Sequence, residues 1–429
     1  MKKNKDMFSN IIGYDNIKIT LERIIDVLNN EEKYEKLGST IPHGLLLYGE
    51  PGLGKSSLAS DFLNNVDRKK YTIRKMKSDG DFIEYINEIF MQARDNQPSI
   101  ILLDDLDKFA EHEEKMQNDE EFVAVQTLMD DVHNEDIFII ATVNDMDVLP
   151  ESLLRSGRFD IKIKIDYPDE EDAYKIFKYY LSFKQVSNDI NVKNISHILS
   201  SSSCADLEKV CNQAGIYAGY KNKDKIEMED LLRAALELKY NTSIEDNTIK
   251  DEYSLNTAYH EAGHALIGEL LDPGSVSFIT IKNTDSRTRG FTSFHNNKFH
   301  FEDVNHRINR IKALLGGKAA TEIVYGKCDI GSKSDLRRAS DIVNDLIDDY
   351  CMFGFDSLDP FGCAGNYTKD RKDMKRSGLL EKYYQEVKEL LATNRNILDK
   401  LALTLDKKEI LFQDEIRNII NQPNEVRGD

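Results

Sequence analysis

Five cysteines are spread over the 429 residues, at Cys204, Cys211, Cys328, Cys351 and Cys363, with no C-x-x-C pair among them. An odd, unpaired set of this kind excludes a disulfide framework and a cysteine zinc finger, and it fits a reducing cytosol. Long apolar runs are missing too. The longest, around Ile100–Leu103 and Ile137–Val143, fall far short of the roughly 20 residues that a bilayer-spanning helix needs. The N-terminal MKKNKDMF carries charge with no apolar stretch behind it, so no signal peptide is expected. Positive charge is in deficit, with 57 Lys and Arg against 76 Asp and Glu and a formal net charge of −19. That balance argues against a protein that grips nucleic acid by its phosphates, while leaving room for a local basic site. The expectation is a soluble, cytoplasmic chain with no intrinsic membrane span and no nucleic-acid partner.

What is present is the composition of an ordinary globular protein, 40% hydrophobic and 31% charged, in a chain long enough for two or three domains. Short apolar runs at GLLLY (Gly44–Tyr48), Ser99–Leu103 and Ile137–Thr142 alternate with helical patterns. Such alternation predicts an α/β domain, a parallel sheet with helices on both faces. From Ile195 to Leu238 the pattern is helical throughout, as in a small all-α lid. Residues 239–256 (KYNTSIEDNTIKDEYSLN) lose that periodicity and read as a linker. A helix carrying Ala262, Ala265, Leu266 and Leu270 follows, then short strands near Val276–Ile281 and Gly290–Phe294. Mostly amphipathic helix runs from Glu302 to Ile420. The expected organisation is an α/β core at 1–165, a helical lid at 166–238, the linker at 239–256, a mainly α-helical domain at 257–422 and a tail at 423–429.

Gly49-Glu50-Pro51-Gly52-Leu53-Gly54-Lys55-Ser56 follows the first strand and precedes a helix expected over Ser56–Leu63, matching G-x-x-x-x-G-K-[ST]. Glycines let backbone N–H groups face a phosphate closely, and the helix start adds a favourable dipole. Lys55 supplies a point charge to the β/γ-phosphates, and the Ser56 hydroxyl reaches Mg²⁺, with Ser57 beside it among the nucleotide-binding positions. The second strand ends in Asp104-Asp105. Alone, two acids after an apolar run read as a solvated strand end. Downstream of a phosphate loop, Asp104 is placed to hold the Mg²⁺ hydration shell and Asp105 to orient and deprotonate an attacking water. ATP and Mg²⁺ are the ligands expected.

Histidine is scarce, at nine residues, which makes TAYHEAGHALIGEL conspicuous. His260 and His264 are four apart and project from one helix face. Two imidazoles at that spacing bind one Zn²⁺, with Glu261 directed at the water that the metal acidifies. Glu261 would take the proton of that water as it attacks a peptide carbonyl. On the pentapeptide alone, two solvated histidines on an amphipathic helix are the plain alternative. A catalytic zinc also needs a third protein ligand. Spacing does not choose it among Glu322, Asp329, Asp335, Asp341 and Asp345, and Asp335, where a helix begins, is equally an ordinary dipole partner.

The segments FSNIIGYD (Phe8–Asp15), YEKLGSTIPHGLLLYGEPGLGKSS, IILLDDLD and LLRSGRFD resemble the AAA family of ATPases, and within it the FtsH-type membrane proteases. The resemblance implies that Asn144 is the polar sensor of the γ-phosphate. It implies that Arg155 and Arg158 are arginine fingers reaching a neighbouring subunit, and hence a ring, usually a homohexamer. LLGGKAATEIVYG and GSKSDLRRASDIVNDL are similar to the FtsH-type protease domain, in which an aspartate at the position of Asp335 completes the zinc site; Glu322 is the second choice. GFTSF resembles the strand near the family's substrate cleft, and the segment from Leu379 to Ile420 resembles its C-terminal helices. The likeness runs colinearly from Phe8 to Ile420.

Four departures accompany it. Asp105 stands where the family has Glu, which implies slower ATP turnover. The stretch Lys77–Phe90 is a shortened form of the aromatic-glycine pore loop, leaving Phe82 or Tyr85 to grip substrate. Cys204 replaces glycine in the lid's G-A-D signature, with Ala205 and Asp206 retained. The N-terminal transmembrane region of typical members is missing, so a naturally soluble relative is expected. The function implied is that of an ATP-dependent zinc metalloendopeptidase acting on proteins or peptides. Asp105 and the altered pore loop motivate a second reading, an ATP-switched remodelling or scaffold protein with weak proteolysis. A third is a zinc peptidase that works without ATP hydrolysis.

Overall fold

The computed structural model describes residues 7–75, 82–109, 120–155, 157–240, 254–283, 289–294, 303–327, 330–352, 354 and 366–422. The chain divides into two compact units, Met1–Ala234 and Ala235–Asp429.

In the first unit, helices α1 (Asp15–Asn29) and α2 (Glu31–Glu35) lead into β1 (Gly44–Tyr48), α3 (Lys55–Asn65), β2 (Lys69–Ile73), α4 (Phe82–Asp95), β3 (Ser99–Leu103), α5 (Glu120–Asp131), β4 (Ile137–Val143) and β5 (Ile161–Lys164). The five strands form a parallel sheet in the order β2-β3-β4-β1-β5. Every residue of β3 and β4 is buried. Helices covering both faces of a parallel sheet demand such unbroken apolar strands, and that is why the sequence exposes them. The edge strands β2 (KKYTI), which opens on two exposed lysines, and β5 (IKIK), which alternates with exposed lysines, present no apolar run and were not anticipated. Registers pair Ile73 with Leu103, Leu103 with Ala141 and Tyr48 with Val143. The strands therefore end nearly level, and the loops after β1, β3 and β4 open along one edge, where such sheets hold ligands.

The lid comprises α6 (Glu170–Ser182), α7 (Val192–Ile198), α8 (Cys204–Tyr220) and α9 (Met228–Tyr240). Helix α8 starts at a capping box in which Ser203 and Asp206 satisfy each other's backbone N–H groups. This is a local use for the retained Asp206. The expected linker 239–256 overlaps the end of α9 at Lys239 and Tyr240 and the start of α10 at residues 254–256; residues 241–253 lie outside the described residues, as does the tail 423–429.

The second unit is built around α10 (Ser254–Leu271), buried continuously from Ala258 to Glu269. It continues with β6 (Val276–Asn283), β7 (Arg289–Phe294), α11 (Val304–Tyr325), α12 (Lys333–Asp348), α13 (Asn366–Thr393), α14 (Arg395–Lys408), β8 (Ile410–Phe412) and α15 (Gln413–Asn421). A helix buried on all sides is a core helix, and α10 packs against α11, α14 and β6. The strands form an antiparallel sheet in the order β7-β6-β8. Three residues long and set between helices, β8 left no periodicity to read. Helices α10 and α11 meet backbone to backbone: a Cβ added at Gly263 would lie 2.4 Å from the Gly316 carbonyl oxygen, and one at Gly316 would lie 2.5 Å from that of Gly263. Only glycine on both sides permits this crossing.

Candidate nucleotide and metal centres

The turn after β1 needs its glycines. Gly49 has φ 149°, and a Cβ there would lie 2.1 Å from the Ile165 carbonyl oxygen; Gly54, at φ 87°, caps α3 in the left-handed region. Lys55 is buried at the first position of α3 and donates to the carbonyls of Gly49 and Glu50, each at 2.7 Å. Burial lowers its pKa, opposed by Asp107 and Asp105 nearby. The Ser56 hydroxyl donates to Asp104 Oδ1 at 2.9 Å, and Thr142 Oγ1 donates to the same oxygen at 2.7 Å. Arg74, just beyond β2, forms an ion pair with Asp104 Oδ2. The Ser56 hydroxyl and the Asp104 carboxylate are thus together, as a Mg²⁺ site requires.

Asp105 adopts φ 55° and accepts from Lys108 at 2.7 Å and from Asn144 Nδ2 at 3.3 Å. Burial acts to raise its pKa, but Lys108 and Asn144 outweigh it and hold the carboxyl below its ordinary range. Asp105 is therefore ionised at neutral pH. Asn144 is fixed from below by Asp107, which takes its backbone N–H at 3.0 Å and its side-chain amide at 3.2 Å. Three contributors escaped the sequence reading: Thr142, Asp107 and Arg74. The first two had a signal, a hydroxyl inside an otherwise apolar strand and a third acid in IILLDDLD. Arg74 had none, because only strand pairing sets it beside Asp104.

Cys204 now has a structural account. Its Sγ lies 3.8 Å from the Leu53 carbonyl oxygen and 3.5 Å from the Tyr14 hydroxyl, and the Ala205 N–H donates to Gly52 at 3.1 Å. The lid helix thus rests on the phosphate loop, and burial keeps the thiol protonated by raising its pKa. Arg155 is exposed. Arg158 is bound within its own chain, to Asp130 at 2.9 and 2.8 Å and to the Ser152 carbonyl. Phe82 is not available to grip substrate: it is buried edge-on against Phe109, with ring centroids 5.0 Å apart, because its helical spacing turns it into the sheet core. Tyr85 is partly exposed and donates to the Thr72 carbonyl. The pore-loop residues Lys77 to Asp81 lie outside the described residues.

In the second unit, α10 presents His260 and His264 on one face, and the first turn of α12 brings Asp335 to them. The two Nε2 atoms are 3.0 Å apart, and Asp335 Oδ2 lies 3.2 and 3.4 Å from them. Zinc–ligand bonds of about 2.0–2.1 Å place tetrahedral ligands about 3.3–3.4 Å apart. The three atoms therefore already approximate one face of a zinc tetrahedron. His264 Nδ1 lies 2.8 Å from the Ala313 carbonyl oxygen; donating its proton there leaves the Nε2 lone pair for a metal. Burial acts to raise the pKa of Asp335, but its bonds to both histidines hold it far below the carboxylate range. Space is provided by Gly317, where a Cβ would lie 2.5 Å from His264 Nε2 and 2.6 Å from His260 Nε2. The residues present fit zinc.

Glu261 is buried beside this triangle and accepts from Thr292 Oγ1 of β7 at 2.7 Å. Burial lifts its pKa to about 7, against the opposing influence of His260 and Thr292. Thr292 and Gly317 were not singled out from sequence, since each acts only through a tertiary neighbour. Of the other acids considered, Glu322 faces Lys388 at 2.8 Å, Lys318 at 3.1 Å and Tyr384, which bring its pKa to about 2. It is committed to that network and contributes nothing to the triangle. Asp329 lies outside the described residues, and Asp345 pairs with Arg307 at 3.7 Å. Among the described residues, His260, His264 and Asp335 are the one group of metal-ligating side chains gathered closely enough to share an ion. No described helix is long and apolar enough to cross a membrane.

Residues 45–167 match the model of the ATPase family associated with various cellular activities (AAA), and residues 247–365 match that of peptidase family M41. Similarity over nearly the whole of this chain extends to an ATP-dependent zinc metalloprotease FtsH 3 of Symbiobacterium thermophilum, 30% identical across 97% of this chain and 71% of that protein. An ATP-dependent zinc metalloprotease FtsH of Caldicellulosiruptor bescii is 29% identical, covering 97% and 72%. The FtsH of Bacillus subtilis is 28% identical, covering 98% and 70%.

Proposed function

Because the chain belongs to the FtsH family of ATP-dependent zinc metalloproteases, we propose that it is an ATP-dependent zinc metalloendopeptidase that unfolds and degrades proteins. The observation that carries this reading is the near-tetrahedral triangle of His260, His264 and Asp335 with Glu261 buried beside it. His260, His264 and Asp335 would hold Zn²⁺, which when bound supplies a Lewis acid and an acidified water. Glu261 accepts the proton of the attacking water and returns it to the leaving amine. Thr292 keeps its carboxylate aimed. In the other unit, Gly49 to Ser57 and Asn144 hold the phosphates of ATP, Ser56 and Asp104 hold Mg²⁺, and Asp105 activates water for hydrolysis.

The proposal extends to a homohexameric ring at a cytoplasmic location, organised as an AAA core at 1–165, a lid at 166–238, a linker at 239–256 and the peptidase domain beyond. Of the two arginine-finger candidates, exposure favours Arg155 as the one that reaches a neighbour, since Arg158 is occupied by Asp130. The test is degradation of a loosely folded protein such as casein with ATP and Zn²⁺. Glu261→Gln is expected to stop cleavage while retaining one zinc per chain and ATP hydrolysis. Lys55→Ala is expected to stop hydrolysis of ATP and degradation of casein while cleavage of short unstructured peptides persists. A scaffold function would instead survive Glu261→Gln, and an ATP-independent peptidase would degrade casein without nucleotide.

A further inference from the structure

Two arginines beside the metal cluster have no hydrogen-bond or ion-pair partner among the described residues. Arg310 lies on α11, one turn before Ala313, whose carbonyl meets His264, and two turns before Gly317, which faces both imidazoles. Positions three and seven apart share a helix face, so Arg310 continues the wall that holds the zinc ligands. Its guanidinium lies over the Phe294 ring, with Cζ 3.7 Å from the centroid. Phe294 ends β7, two residues beyond Thr292, so both side chains leave the same face of that strand. Thr292 meets Glu261, and Phe294 packs toward Gly268 one turn past His264. Arg338 lies on α12 one turn after the ligand Asp335 and is exposed. Burial and the neighbouring Arg338 lower the pKa of Arg310 to about 10, against the pull of Asp335, so it remains cationic at neutral pH.

This is an unusual disposition in a chain with 76 acids and a net charge of −19. A guanidinium offers five N–H donors and no acceptor, and withdrawing it partly from water beside a like charge costs stability unless an anion completes the site. Stacking on Phe294 fixes the guanidinium plane and leaves its N–H edge for a planar, bidentate acceptor. Asp335 is near enough to be felt by Arg310 but forms no ion pair with it, and its Oδ2 faces both histidines.

We propose that Arg310, assisted by Arg338, forms a carboxylate-binding subsite that selects substrates with an acidic group within a few residues of the bond cut. The position follows from β7, the outer strand of its sheet. Thr292 marks the catalytic glutamate, and Phe294 marks the arginine about 7 Å further on, at about 3.4 Å per residue. An extended peptide beside β7 would carry a side chain to Arg310 two residues from the reacting carbonyl. The inference rests on the peptidase reading above for its substrate, but its geometry can be tested by binding alone.

The experiment uses the zinc-loaded full chain carrying Glu261→Gln and fluorescein-labelled unstructured peptides. The peptides differ only by Glu or Gln at each of the three positions on either side of the cut, or by a free or amidated C-terminus. The expected result is about tenfold tighter binding of one Glu peptide over its Gln twin, the scale of one charge-assisted bidentate pair. Adding Arg310→Met or Arg338→Met should reduce that ratio to about twofold or less, with the zinc content of the parent retained. Arg310→Lys, which keeps charge without the fork, should give an intermediate ratio. A preference carried by the acid-amide pair would assign the subsite to a chain terminus, with the same chemistry. Equal binding of all pairs, or a ratio that survives Arg310→Met, overturns the proposal. Cleavage of the same peptides by the Glu261 protein is read separately; its absence would count against the peptidase reading and leave the binding ratios to decide the subsite.

Discussion

At the scale of single residues, the metal centre depends as much on a hydrogen atom as on its ligands. Gly317 leaves the volume that a zinc ion would occupy, since a methyl group there would sit within 2.6 Å of both Nε2 atoms. Gly317→Ala is therefore expected to abolish zinc binding, measured as zinc per chain after dialysis, while ATP hydrolysis in the other unit persists. Thr292 acts on Glu261 by orientation. Thr292→Val should lower kcat for peptide cleavage by about 10²-fold, the low end of what a general base contributes, with KM little changed. Thr292→Ser should recover most of it. A fall in zinc content instead of kcat would show that the threonine serves the fold and not the glutamate. His260, Glu261, His264, Lys55 and Asp104 could be picked from the chain because their spacing is fixed by one helix or one strand-turn-helix. Thr292, Gly317, Asp107 and Arg74 could not, because their partners are remote in sequence.

At the scale of elements, the crossing of α10 and α11 positions the chemistry. Gly263 and Gly316 bring two backbones together so closely that the Ala313 carbonyl reaches His264 and Gly317 reaches the metal position. Gly263→Ala should destabilise the second unit by about 1–3 kcal/mol or more, the usual cost of overpacking a rigid contact. Denaturant unfolding followed by a probe in that unit would register the loss, and zinc affinity should fall with it. In the first unit the buried strands β1, β3 and β4 were legible as apolar runs, whereas β2, β5 and β8 were not. The edge strands β2 and β5 mix apolar residues with lysines and β8 has only three residues, so none presents an apolar run long enough to stand out.

At the scale of the whole molecule, two units of different chemistry share one chain, and the proposed ring can be tested through the two arginines of the first. Arg155→Ala is expected to reduce ATP turnover about 10³-fold or more, as loss of an arginine finger does, while a fluorescent ATP analogue still binds. Arg158→Ala should instead show mainly the loss of its pair with Asp130, about 0.2–1 kcal/mol for a partly exposed ion pair, with a smaller effect on turnover. The reverse ranking of the two variants in an ATPase assay would make Arg158 the finger and require its release from Asp130.

By itself the sequence determined the reaction chemistry and the broad class: a parallel α/β nucleotide domain, a helical lid and a helical metal domain. Those properties follow from short-range order, a glycine-rich turn ahead of a helix and two histidines one helical turn apart. It also named Asp335, but only through family resemblance, since spacing left five acids open. Among the described acids, tertiary structure brings Asp335 to 3.2 and 3.4 Å from the imidazoles and engages Glu322 with Lys318, Lys388 and Tyr384, while Asp329 lies outside the described residues. It buried Phe82 in the sheet core and set Arg310 against Phe294. The reason is physical. A helix or turn fixes distances between residues a few positions apart, but Asp335, on α12 and 75 positions after His260, meets the histidines only once α10, α11 and α12 have packed in sequence.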